Sequence, residues 1–236
     1  METPLYAAFG LGLILGVKHA LDADHLIAVS TILSEHRSVK WASLVGAFWG
    51  LGHTATLLLV GLAVIGLRLT IPPSVAMGLE LLVALMLVVL GASIVWRAFR
   101  PERLHLHVHS HSPKTHAHFH VHESEEQDHC HSHPFASMRR PFLVGMVHGL
   151  AGSAALMLLV LTTISSPLAG LAYILIFGVG SVGGMLGLSA MISIPFILTA
   201  RRFAVLNRAL RLFAGAASVV FGVFLGWEIS SSGGLF

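Results

Sequence analysis

His19-Ala20-Leu21-Asp22-Ala23-Asp24-His25 sets two imidazoles and two carboxylates, with Lys18 just ahead of them, inside an otherwise apolar run. Leu5–Val17 upstream is rich in Leu, Gly and Ala, and Leu26–Leu33 downstream is apolar again. Together these make a segment long enough to cross a bilayer, with the ionisable cluster near its middle. Charged side chains are expensive at that depth, so five ionisable groups there read as a functional site. Gluing helices together needs only one or two polar groups.

The composition agrees with a membrane setting. Of 236 residues, 55% are hydrophobic and only 11% charged, and the mean hydropathy is +0.82. That is the profile of an all-α, polytopic membrane protein. The apolar runs are continuous rather than alternating, which excludes a membrane β-barrel. Leu5–Val17 lacks a basic segment before it, and the apolar pattern resumes after the motif, so it reads as a span rather than a signal peptide. One cysteine, Cys130, excludes an internal disulfide and dithiol redox chemistry. The net charge of +3 sits mostly in loops and speaks to orientation, not to nucleic acid.

Six segments are long enough to span, near residues 5–33, 41–67, 74–98, 141–165, 168–197 and 203–229. Turn signals separate them at Pro72-Pro73, Ser165-Ser166-Pro167 and Arg201-Arg202. The loops after segments one, three and five hold Arg37, Lys40, Arg97, Arg100, Arg103, Lys114, Arg139, Arg140, Arg201, Arg202, Arg208 and Arg211, against Arg68 alone on the other side. By the positive-inside rule these loops are cytoplasmic and both termini face outward. The expected location is the cytoplasmic (inner) membrane.

The two halves repeat each other. Gly16-x-x-His19-x-Leu21 recurs as Gly145-x-x-His148-x-Leu150, and Gly50-x-Gly52 as Gly178-x-Gly180. Leu79, Leu81, Val88, Val89, Gly91 and Trp96 align without a gap to Leu210, Leu212, Val219, Val220, Gly222 and Trp227. Three spans per half is an odd number, so the second copy must be inverted. Glu80 aligns with Arg211 and Arg97 with Glu228, which puts each basic partner on the cytoplasmic side. The expected plan is a three-helix repeat over 1–100, a loop over 101–140 and a second repeat over 141–236. Such inverted repeats carry secondary-transporter sites at midplane, where the copies meet.

The loop is unlike the rest. It carries His105, His107, His109, His111, His116, His118, His120, His122, His129, His131 and His133, with Glu123, Glu125, Glu126 and Asp128 among them. Such composition builds no apolar core and is expected to be largely disordered. Many imidazoles on a cytoplasmic tether suit divalent-metal buffering or delivery.

Spacing suggests how the spanning motif would hold an ion. On an ideal helix His19, Asp22 and His25 fall at about 0°, −60° and −120°, one broad face, with Asp24 roughly 100° beyond it. Asp24 would reach the ion only if the helix is locally irregular; otherwise it would orient a ligand ring. His53, in Gly50-Leu51-Gly52-His53-Thr54, is read as a further ligand from segment two. His148 matches His19 in the repeat, but Ala151, Ser153 and Ala154 stand where Asp22, Asp24 and His25 would be. The second copy is therefore expected to make no site of its own. His148 joins Lys18, Thr54 and Glu80 as supporting or pathway residues. Mixed imidazole and carboxylate donors suit nickel, cobalt or zinc and argue against copper(I).

His-x4-Asp-His in a spanning helix, followed by a Gly-His-Thr helix, resembles the nickel/cobalt transporter family (NiCoT). That family's first signature is Arg-His-Ala-x-Asp-Ala-Asp-His-Ile, and its second is Leu-Gly-His-Ser/Thr. Lys18 and Leu26 stand for the arginine and isoleucine, while His19, Ala20, Asp22, Ala23, Asp24 and His25 match, as do Leu51, Gly52, His53 and Thr54. Family members usually have eight spans; this six-span layout is similar to membrane proteins found with urease accessory genes. The resemblance implies Ni2+ or Co2+ as transported substrate, no prosthetic group, and nickel chaperones or urease and hydrogenase maturation proteins as partners. The histidine-rich loop is also similar to that of nickel/cobalt exporters, which sets efflux, of zinc as well, against uptake; the complete Asp22-Ala23-Asp24-His25 run favours uptake.

Enzyme readings are weaker. His19-x4-Asp24 is also the spacing of a glycerolipid acyltransferase pair, but that chemistry needs a base at the membrane surface and a basic phosphate motif. Neither His-Glu-x-x-His nor a Gly-Lys-Ser/Thr phosphate loop occurs, so no metalloprotease and no direct use of ATP is expected.

Overall fold

Continuous apolar runs satisfy their backbone polar groups as helices, the form a bilayer demands. The computed structural model describes residues 3–34, 38–67, 72–99, 104–111, 114–121, 134–150 and 166–231. Its helices are α1 (Thr3–His19), α2 (Ala23–Leu33), α3 (Val39–Leu67), α4 (Pro73–Phe99), α5 (Pro134–Gly149), α6 (Pro167–Arg202) and α7 (Ala204–Ser231). Among the described residues, four helices are long and apolar enough to cross a membrane: Val39–Leu67, Pro73–Phe99, Pro167–Ala200 and Ala204–Ser231. Pro167 opens α6 where its missing N–H costs nothing, and Ser166 caps it by accepting from the Ala169 amide at 3.4 Å.

Two expected segments differ. Residues 5–33 are not one helix; the chain breaks between His19 and Ala23, inside the motif. Segment four begins earlier than expected, at Pro134, because Met138 packs into the apolar core. Its expected continuation over 151–165 lies outside the described residues.

Close approaches at glycine fix how the helices run. Small residues let backbones meet in the absence of a hydrophobic drive between helices. Gly12 lies against Tyr173, Gly16 against Phe177 and Gly184 against Ala20, so α1 runs parallel to α6. Gly145 lies against Trp49 and Gly149 against His53, so α5 runs parallel to α3. Gly46 meets Ser189 while Gly61 meets Ile174, so α3 and α6 are antiparallel; Gly91 and Gly222 show the same for α4 and α7.

These contacts are reciprocal under the sequence repeat. A Cβ on Gly52 would strike the Phe142 carbonyl and the Met146 amide; one on Gly180 would strike the Leu13 carbonyl and the Val17 amide. Gly91 faces the Gly215 carbonyl and the Val219 amide, and Gly222 faces the Ala84 carbonyl and the Val88 amide. Each pair is the other with the halves exchanged. A few polar bonds add to this packing, among them Ser218 to the Leu87 carbonyl at 2.8 Å and Thr31 to the Ala214 carbonyl at 3.3 Å.

The core has two apolar clusters. One gathers Leu33, Val45, Trp49, Leu87 and Met185, the other Leu57, Tyr173, Ile174 and Phe177. Large apolar side chains such as Leu59, Val89 and Phe213 face outward, as lipid-facing positions do.

Within 101–140, expected to lack regular structure, the described backbone carries an antiparallel hairpin of β1 (Leu104–His111) and β2 (Lys114–Val121). Its register pairs His105 with His120, His107 with His118 and His109 with His116. The alternation His-Leu-His-Val-His has the period of a strand, which an argument from polarity alone overlooks. His122, His129, His131 and His133 lie outside the described residues.

Candidate metal centre

The break in the first segment makes the site. Leu21 and Asp22 close tight turns onto the Lys18 and His19 carbonyls at 2.9 and 3.1 Å, and Asp22, in extended conformation, becomes the N-cap residue of α2. Its carboxylate does not cap that helix. It accepts from His19 Nδ1 at 2.7 Å instead. The His19 carbonyl, freed by the break, also accepts from His25 Nδ1 at 2.7 Å. A broken helix at membrane depth is tolerated where the freed backbone groups find partners like these.

Four imidazoles meet here from four helices. The His25 ring lies 4.5 Å from His19, 5.5 Å from His53 and 4.2 Å from His148, centroid to centroid. His19 and His53 are 5.0 Å apart, and His53 and His148 6.2 Å. Trp49, from one apolar cluster, stands 6.0 Å from His25 and 5.6 Å from His148; Phe177, from the other, stands 5.7 Å from His19. The site thus lies between the two clusters. His25 and His53 are fully buried and His148 is 2% exposed, while the Asp24 side chain is 31% and the Asp22 side chain 48% exposed.

Hydrogen bonding sets the tautomers. Carboxylates and carbonyls only accept, so His19 Nδ1 and His25 Nδ1 carry protons. By the same rule His148 Nε2 donates to Asp24 Oδ2, at 2.8 Å. Asp24 Oδ1 accepts from the His25 amide at 3.0 Å. In a neutral ring the remaining nitrogen bears a lone pair. His19 Nε2, His25 Nε2, His148 Nδ1 and both His53 nitrogens are buried without a hydrogen-bond partner. A buried polar atom left so costs about 1–3 kcal/mol, and five in one place fit donors to a metal ion. Rings that donate one nitrogen to a carboxylate or carbonyl and offer the other are metal ligands in their usual orientation.

The motif histidines and His53 come together as the sequence led one to expect, by different geometry. His19, Asp22 and His25 do not share one helix face, because no single helix joins them. Asp22 holds a ring, and Asp24 reaches across to the second half. Lys18, expected as a supporting or pathway residue, is exposed, and the Asp22 carboxylate four residues on is engaged by His19. Thr54 points away, donating to the Gly178 carbonyl at 3.4 Å, and Glu80 on α4 is not among the clustered donors. His148, expected as a supporting residue, joins the cluster, with its ring 4.2 Å from that of His25. The repeat that aligns it with His19 was its signal. Trp49, which covers two rings, carried none.

The family pattern of high-affinity nickel-transport proteins (NicO) matches residues 5–226, nearly the whole chain. The protein belongs to this family. It is also similar to the urease accessory protein UreH of Bacillus sp. (strain TB-90), 37% identical over 240 residues that cover 100% of this chain and 97% of that protein. No solved structure matches the chain significantly. A member of this family is a membrane transporter, not an enzyme, and nickel is its cargo rather than a prosthetic group. The acyltransferase reading also lacks its dyad, since the carboxylate on His19 is that of Asp22.

Proposed function

We propose that this protein carries Ni2+, and Co2+ with it, inward across the cytoplasmic membrane as a secondary transporter, through a midplane site on the first two spans. The observation that carries this is the set of buried ring nitrogens without partners at His19, His25 and His53. One donor from each of these residues lies within 4.8 Å of the others. These three imidazoles hold the ion, and retained waters complete the octahedron that nickel accepts from N and O donors. Asp22 orients His19, and the two aspartates offset the ion's charge at depth.

The frame of the proposal is six spans in two inverted three-helix repeats, with the termini outside and the histidine-rich tract of 101–140 in the cytoplasm. Reciprocal glycine contacts and antiparallel pairing of repeat-equivalent helices support the inversion. His53 is the central residue of the 29-residue α3, which supports a midplane site. Likeness to a protein named a urease accessory protein supports delivery of the metal to urease maturation proteins.

Accumulation of radioactive nickel by cells expressing this chain alone tests the reading. Uptake is expected, falling by about 100-fold or more in His25→Ala at matched membrane levels. Faster loss of preloaded nickel would instead establish efflux, the direction that the histidine-rich tract favours. Wild-type uptake by His25→Ala would remove the site.

A further inference from the structure

We propose that the ion occupies two alternative stations that share His25, and that His148 of the second half builds one of them. The proposal rests on the transport reading above and adds to it a step within the site. Among the described residues the donors fall into two groups. His19, His25 and His53 form one, Asp24, His25 and His148 the other, each with its donor atoms within 4.8 Å of one another. No group holds both His53 and His148, whose rings lie 6.2 Å apart.

His25 couples the two. Its Nδ1 is committed to the His19 carbonyl, which leaves Nε2 as its one lone pair. A lone pair binds one ion at a time, so the stations exclude each other. An ion leaving His19 and His53 keeps His25 while it gains His148 and Asp24. It is then never stripped of protein ligands at depth, where a bare divalent ion would be prohibitive. To take the ion between them, Asp24 and His148 give up their hydrogen bond, the ring proton moving to Nδ1 so that Nε2 is free, and Asp24 brings a negative charge that the first station lacks.

The two stations also come from different parts of the chain. Apart from the shared His25, the first draws on α1 and α3. The second adds His148, near the end of α5, in the other half. Passage between them is passage across the interface of the repeats. A change in how the halves pack would therefore shift the ion from one station to the other.

The full-length protein in detergent, titrated with Ni2+, tests this against His25→Ala, which keeps the same histidine-rich loop. The difference between the two isotherms is expected to be one tight ion per chain. His53→Ala and His148→Ala are each expected to keep that ion, because one station survives, yet to lose transport in proteoliposomes by about 100-fold. Nickel X-ray absorption, again as a difference, should show nitrogen ligation in His148→Ala and mixed nitrogen and oxygen in His53→Ala. His148→Gln guards against simple misfolding, since it can still donate to Asp24 and should lose transport alike. Wild-type transport by both His148 variants would overturn the proposal. So would two ions in the wild-type difference, or loss of the ion in either single variant, which would mean one undivided site. If the wild-type protein moves no nickel in either direction, it is the transport reading that fails, and the isotherms still decide between one station and two.

Discussion

The ends of α1 and α5 are the same structural place built twice. Gly16 and Gly145 pack alike, His19 and His148 follow each by three residues, and both helices stop there. Beyond that point the halves diverge in chemistry. The first continues into Asp22, Asp24 and His25; the second has Ala151, Ser153 and Ala154. Packing is thus shared between the copies, while nearly all the polar groups belong to one. The frame repeats because each helix pair needs its small residues. The second copy has a single ring at this place, His148, and that ring is held by a carboxylate of the first, Asp24.

If the packing is shared, breaking it on either side should cost the same. Gly52→Leu and Gly180→Leu each drive a side chain into a facing backbone carbonyl. Both are expected to lose most folded protein, with overpacking of at least about 1–3 kcal/mol, read by thermal unfolding in detergent. A silent Gly180→Leu beside a collapsed Gly52→Leu would show the two-fold relation to be superficial.

If the chemistry is unshared, the two aspartates should differ. Asp24→Asn disturbs a contact across the halves to a nearly buried ring and is expected to lower nickel transport by about 10–100-fold. Asp22→Asn acts on a half-exposed carboxylate and one ring, and should cost no more than about 10-fold. Initial uptake rates at matched membrane levels give the order; a reversed order would make Asp22 the more important group.

Thr54 offers the smallest effect. Thr54→Val keeps the shape against Gly178 and deletes one weak interhelical bond, worth about 0.6 kcal/mol in membrane helices. Transport is expected to stay within about threefold by that estimate, which separates packing beside His53 from the site itself.

Much of this was legible in the chain. Continuous apolar runs gave the long helices, and the Gly-x-x-His repeat matched His148 to His19. The break at Ala20–Asp22 was not legible, because no Gly or Pro marks it and the apolar pattern runs through. Its one local hint is an aspartate at the cap of α2 with a second in the first turn. Without the break the helical-wheel argument put Asp24 off the site and left His148 without a partner. Long-range pairing of Asp24 with His148 depends on how α1 and α5 pack on α6 and α3, which no local pattern encodes. In the loop, strand-period alternation was present in the sequence and outweighed by composition.

Anomalous diffraction at the nickel edge, from nickel-loaded crystals of the full chain, tests the central claim most directly. The account predicts a peak within bonding distance of His25 Nε2, shared with His19 and His53 or with His148 and Asp24. A nickel peak among the loop histidines, with none at His25 in a protein that transports nickel, would contradict it.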